Sequence, residues 1–346
     1  MKIFTKGIWR NHKPILITGV GLTAITLQAL MAPVSVLSIK VDGFVKVDGS
    51  STVYPITKAI AKDFTTSNPS AKIEISFSGT SGGFKKFCAG KTDISNASRP
   101  IRLEEMAACK KAGISYYELP IAYDALTVVV NPKNTWAKDI TVAELKKIWE
   151  PAAEGKIKRW NQIRPEYPNQ PIKLFGAGKD SGTYDYFNAA INGSATSTRK
   201  DVTTSEDDDV LVKGVSQDLN SMGYFGFAYY EANIKNLKAL AVDNGKGAVL
   251  PSRKAVEAAK YQPLARPLFI YVSSTSMRKP EVRKFVDFYM KRAAKSAATV
   301  GYIPLPAKGY ELAKQRISFG RVGTVFAGKT ELNLTITQLL GKELGL

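Results

Sequence analysis

Residues 173–190 read KLFGAGKDSGTYDYFNAA. A short apolar run leads into a glycine-containing turn, and Asp180-Ser181-Gly182-Thr183 then opens an amphipathic segment. That order predicts a strand, a turn and a helix whose first N–H groups have no partner within the helix. Free N–H groups, the helix dipole and flanking hydroxyls together suit an anion. Alone, such a turn is ordinary, because Ser and Thr are common N-caps and glycine is common turn chemistry. Its weight comes from three more turns of similar design, DGSSTVYP (48–55), FSGTSGGF (77–84) and SNASRP (95–100).

Upstream, the chain alternates strand, turn and helix. FVKVDG and AKIEISF (71–77) read as strands, a short apolar element starts at Asp93-Ile94, and Arg102 to Ala112 reads as a helix stopped by Gly113. Such alternation implies a parallel sheet, with ligands beyond the carboxyl ends of its strands. ISYYELPIAYDALTVVVNP (114–132) is long enough to pass from one domain into another, and RPLFIYVS (266–273) can return the chain. The expected architecture is therefore α/β and bilobed. A discontinuous outer domain (42–125 and 264–346) carries an inserted one (126–263), with a ligand cleft between them. The tail from Phe319 is expected to pack on the outer domain, with a helix near its end.

Several chemistries are excluded. The only histidine is His12, within the expected targeting segment, so residues 39–346 offer no Ser-His-Asp, Cys-His or His-ligated metal chemistry. Two cysteines rule out a Cys-rich zinc site. The formal net charge is +19, but the lysines are scattered and no run of five basic residues occurs, which argues against nucleic acid. No turn fits a Walker A motif. The acidic run Ser205-Glu206-Asp207-Asp208-Asp209 lacks EF-hand spacing and reads as a solvated helix start. Residues 1–38 combine Lys2, Lys6, Arg10 and Lys13 with a long apolar stretch, which reads as a signal peptide or, alternatively, an uncleaved anchor. Export would favour a Cys88–Cys109 disulfide over two buried free thiols.

Together the turns offer Ser50, Ser51, Thr52, Ser78, Thr80, Ser81, Ser95, Ser98, Ser181 and Thr183, with Arg99 among them. Hydroxyls and amides suit a tetrahedral oxyanion, and an arginine can hold two of its oxygens at once.

The ordered set DGSSTVYP, SGTSGGFKKFCAG, TDISNASRPI, ELPIAYDALTVVVNP, LKKIW, SGTYDYF, GYFGFAYY and RPLFIYV resembles the PstS family of periplasmic phosphate-binding proteins, in its SphX-like branch, over about residues 42–315. The resemblance implies a type II periplasmic-binding fold, with two α/β domains on a two-strand hinge. It also implies high-affinity phosphate binding, delivery to an ABC permease, a periplasmic location, a monomer, no cofactor and no catalysis. A secreted phosphatase and a basic phosphate-sensing or adhesive surface protein are the alternatives. The family's contacts fall on Ser51, Thr52, Thr80, Ser81, Ser181, Gly182 and Thr183. Two positions depart from its pattern. Ser98 stands where the family has an aspartate that accepts the phosphate proton, and Ala177 where it has an arginine. Arg99 is therefore expected to supply the guanidinium. The acceptor is left open among Asp93, Asp180 and an acid of 206–209.

Overall fold

A computed structural model describes residues 43–345. The signal-peptide expectation for residues 1–38 lies outside that range. Among the described residues, no helix is long and apolar enough to cross a membrane.

The outer lobe begins with β1 (Phe44–Gly49), α1 (Tyr54–Ser67), β2 (Lys72–Ile75), α2 (Gly79–Cys88), β3 (Ile94–Ala97) and α3 (Leu103–Lys111). Strand β1 lies parallel between β2 and β3, with Val47 opposite Ile75 on one side and Ile94 on the other. Helix α1 buries Ile56, Ile60, Ala61 and Phe64, an apolar face at helical spacing, while its lysines stay outside. The glycine-rich stretch expected as a turn before α2 is itself the first turn of that helix.

Strand β4 (Tyr116–Val130) then runs through both lobes. It is buried almost throughout its 15 residues, which explains its near-continuous apolar sequence. The inserted lobe holds β5 (Asp139–Thr141), α4 (Val142–Trp149), β6 (Lys173–Ala177), α5 (Gly182–Asn192), β7 (Thr203–Ser205), α6 (Asp208–Gln217), β8 (Ser221–Gly226) and α7 (Phe227–Ala232). It continues through β9 (Lys238–Ala239), β10 (Ala241–Asp243), β11 (Ala248–Val249) and α8 (Arg253–Glu257). The chain returns on β12 (Ala265–Ser273) and ends with α9 (Pro280–Thr299), β13 (Ile303–Pro304), α10 (Ala307–Ser318) and α11 (Ile336–Leu344).

The main sheet runs β2-β1-β3-β12-β4-β8-β6-β7. Strand β6 is parallel to both β7 and β8, whereas β12 and β4 are antiparallel to their neighbours. The sheet is thus mixed rather than wholly parallel, because the two strands that connect the lobes run in opposite directions. Strand β4 changes partner within its length. Tyr116 to Ala125 face β12, and Leu126 to Val130 face β8. All four hydroxyl-bearing turns leave the carboxyl ends of parallel strands, namely β1, β2, β3 and β6.

Cys88 at the end of α2 is bonded to Cys109 on α3 (Cα–Cα 4.3 Å). The tail after α10 packs on the outer lobe, with Phe326, Leu334 and Leu339 buried. Buried Glu118 accepts from Val325 N (3.0 Å) and from the Tyr271 hydroxyl (2.5 Å), and Arg316 pairs with buried Glu343 (3.1 Å). The Tyr123 hydroxyl donates to Leu334 O (3.1 Å).

Two stability effects are expected. Replacing both cysteines by alanine frees a loop of 21 residues and lowers unfolding free energy by about 3 kcal/mol in the chain-entropy view, measurable by urea titration. Truncation after Ser318 strips Glu118 and Arg316 of partners inside the core. It should cost at least about 3 kcal/mol or abolish cooperative unfolding in a thermal melt.

Candidate functional site

The site is assembled from the four turns and one residue of β12. At the end of β1, Asp48 accepts from Gly49 N (2.6 Å) and from Ser78 Oγ (2.9 Å), and Lys86 closes on its other oxygen. Ser50 N donates to Asn96 O (2.9 Å), which ties the first turn to the third. Ser50, Ser51 and Thr52 are buried beneath it. Helix α1 has no side-chain N-cap, since Val53 occupies that position. The second turn brings in Thr80, whose hydroxyl lies 3.2 Å from the Ser98 hydroxyl of the third turn.

In the inserted lobe, Ser181 caps α5 by accepting from Thr183 N (3.0 Å). The Thr183 hydroxyl meets that of Thr52 across the cleft at 3.1 Å. Gly182 faces Thr80 and Ser98 so closely that an added Cβ would lie 2.5 Å from both hydroxyl oxygens. Glycine is therefore required here by the approach of the two lobes. Helix α5 is held in place from beneath, where Phe187 stacks on Tyr224 (centroids 3.7 Å) and the Tyr186 hydroxyl donates to Ala265 O (2.7 Å).

At the base of this group lies Arg266, fully buried on β12. Its guanidinium donates to Thr183 Oγ1 (2.7 Å), to Gly182 O (2.9 Å) and, at 3.4 Å, to Thr52 Oγ1. It pairs with Asp124 of β4 at 3.1 Å, directly opposite in the strand register. Burial raises the Asp124 carboxyl despite the opposing pull of Arg266 and of Phe227 N. The pair is self-neutralising, yet the guanidinium also touches both lobes.

Arg99 has a different situation. Its Nε donates to Asp185 (2.7 Å), Nη1 to Pro100 O and Glu105, and Nη2 to Ser81 Oγ and Glu105. Each of its N–H groups is engaged. Burial weakens its charged form, but the Glu105 and Asp185 carboxylates more than offset this and raise its pKa. The guanidinium that meets the Thr52 and Thr183 hydroxyls is Arg266. The sequence signal for it was an arginine at the head of an apolar strand and an aspartate inside another; such residues are almost never fully buried unless paired.

The acidic run also departs from its sequence reading. Asp207 caps α6, but Asp208 is buried beside Ser51, and Glu206 lies in the cleft wall against Asp180 N (3.0 Å). Burial pushes the Asp208 carboxyl up to about 7, against the pull of the Ser51 hydroxyl, with Asp124 adding to the rise. Asp208 Oδ2 has no hydrogen-bond partner among the described residues. Glu206 also keeps one oxygen free, but it faces Gly79 and Asp180 rather than a site hydroxyl, and Asp93 and Asp180 are engaged elsewhere. Asp93 takes Ser276 Oγ, Lys279 and Lys46 N, and Asp180 pairs with Lys85.

Residues 35–293 match the family model described as the PBP superfamily domain. The chain is 58% identical over 300 residues to Protein SphX of Synechocystis sp., covering 86% of this chain and 89% of that one. It is 35% identical over 273 residues to the phosphate-binding protein PstS of Staphylococcus saprophyticus, covering 78% and 83%. The solved structure of a putative phosphate ABC transporter substrate-binding protein with bound phosphate, from Clostridium perfringens, superposes with a TM-score of 0.65 at 27% identity, over 76% of this chain and all of that one. The chain belongs to the PBP superfamily and, within it, to the substrate-binding proteins of the PstS and SphX type.

Proposed function

We propose that this protein captures inorganic phosphate between its two lobes and delivers it to an ABC permease, acting outside the cytoplasmic membrane as a binding protein and not as a catalyst. The observation that carries the reading is the meeting of the Thr52 and Thr183 hydroxyls on the Arg266 guanidinium, with Thr80, Ser98 and Gly182 alongside. Neutral donors around one paired arginine can hold a divalent anion without leaving an unpaired cation when it departs. The names of the PstS relatives and the phosphate-bound neighbour support the same ligand.

In this reading Ser51, Thr52, Thr80, Ser98, Ser181, Gly182, Thr183 and Arg266 contact phosphate. Ser81 and Arg99 act one step back, because Arg99 holds Ser81 on one side and Asp185 of the opposite lobe on the other. The lobe boundaries are proposed at 125/126 and 263/264. The partner change of β4 and the bond from Leu126 N to Leu264 O support them. Asp208 is proposed as the acceptor of the phosphate proton, since it is the acid with a free oxygen beside a site hydroxyl. Sulfate has no proton to offer, so an ionised Asp208 repels it without compensation.

Calorimetric titration should give submicromolar phosphate binding, and no binding at millimolar phosphate would sink the proposal. Arg266→Lys keeps a charge opposite Asp124 but loses the planar fork, and affinity should fall by roughly 100-fold, the equivalent of one or two charge-assisted hydrogen bonds. An unchanged dissociation constant would remove Arg266 from the site.

The preference for phosphate over sulfate should widen from pH 6 to pH 8. Asp208 has its raised pKa near 7, so its accepting, ionised form grows as pH rises through that value. In Asp208→Asn the ratio should be smaller and should change with pH only through phosphate's own ionisation, so the wild-type-minus-variant difference, read by competition titration, isolates Asp208.

A further inference from the structure

Glu206 sits in the seam between the lobes. Its Oε1 accepts from Asp180 N (3.0 Å) within the inserted lobe. Its Oε2 is buried and has no hydrogen-bond partner among the described residues. That oxygen is covered by Gly79 of the outer lobe, where an added Cβ would lie 2.7 Å from it and 2.3 Å from Asp180 O. Gly79 has φ +75°, and the turn it begins docks by donating Ser81 N to Asp180 O (2.9 Å). Gly178 of the inserted lobe packs on the Oε1 side of the carboxyl, whereas the cover over Oε2 comes from the outer lobe, and separating the lobes removes it.

The charges around Glu206 do not supply a counterion. Asp180 is paired with Lys85 of the outer lobe, and Asp185 with Arg99 and Arg102. Both acids oppose a charge on Glu206, and only Lys179 favours one. Arg199, on the loop beyond, is taken by Asp201. A buried carboxylate oxygen with no donor carries a large desolvation cost, which the neutral acid avoids.

We propose that closing the lobes takes up one proton on Glu206, so that anion capture in this cleft is coupled to pH. This rests on the phosphate reading above. With the lobes apart, Oε2 is hydrated and the carboxyl shifts back toward its usual 4.5; in the closed form, burial, reinforced by Asp180 and Asp185, pushes it up to about 7. A group whose pKa is raised by closure stabilises the closed form fully below the lower value. The contribution is lost as pH rises from about 4.5 to about 7. Across that window the effect on affinity is at most on the order of 100-fold, and above it the contribution is flat.

The test is phosphate titration at pH 6 in buffers of different ionisation enthalpy, which counts protons taken up per anion bound. It compares the wild type with Glu206→Gln, isosteric and unable to titrate, and with Glu206→Asp, which retains a carboxyl. Phosphate's own proton exchange is common to all three and cancels in the differences. The wild type should take up more protons than Glu206→Gln, up to about 0.9 per anion bound. The affinity of Glu206→Gln should also fall less between pH 5 and pH 7, and Glu206→Asp should retain part of the uptake. Equal uptake in the wild type and Glu206→Gln overturns this inference alone. Absence of phosphate binding in all three proteins overturns it together with the ligand assignment.

Discussion

The Asp124–Arg266 pair is the constraint around which the rest of the molecule is arranged. Both side chains are fully buried, on the two antiparallel strands by which the chain passes between its lobes. Burying two charges is expensive, and removing one partner of such a pair typically costs about 3–5 kcal/mol. The pair persists because its remaining valences are filled. Asp124 also accepts from Phe227 N, and Arg266 also donates to Gly182 O and Thr183 Oγ1. The cost of keeping a charge inside the hinge is met by contacts from the far lobe, which places a guanidinium at the base of the cleft.

Away from that pair, several polar groups also meet across the seam. Thr52 touches Thr183, Ser81 N reaches Asp180 O, and the Tyr229 hydroxyl donates to Ser51 O (3.3 Å). Asp185 is gripped by Arg99 and Arg102 from across the seam. Water can replace hydroxyls and ion pairs of this kind when the lobes part, whereas an apolar interface would resist separation. The apolar burial that holds each lobe together lies elsewhere, under α1 and α9 in one and around Trp149, Phe187 and Tyr224 in the other.

Much of this was legible in the sequence because it rests on local patterns. Hydroxyl-rich turns following apolar runs mark the carboxyl ends of strands, and two long apolar runs mark the connecting strands. What the sequence did not disclose depends on which residues meet at a distance. Arg99 and Arg266 are both arginines next to a proline, and only the fold assigns one to Glu105 and Asp185 and the other to the threonines. The acidic run looked solvated because Asp207 and Asp209 do cap and flank a helix. Nothing local distinguishes them from Asp208, which the helix turns inward, or Glu206, which the opposite lobe covers. The antiparallel pairing of β12 with β3, and of β4 with β8, was equally hidden, since a strand buried on both faces reads as a continuous apolar run.

The absence of a side chain at Gly182 has a further meaning. With a Cβ there, the hydroxyls of Thr80 and Ser98 could not come to rest against α5, and the lobes would be wedged apart. The close approach that glycine permits there belongs to both lobes at once. On the phosphate reading proposed above, an anion bound between the lobes acts as a removable piece of the protein interior, contributed from outside and counted in the stability of the whole. Resistance to heat and to proteases then becomes a readout of occupancy.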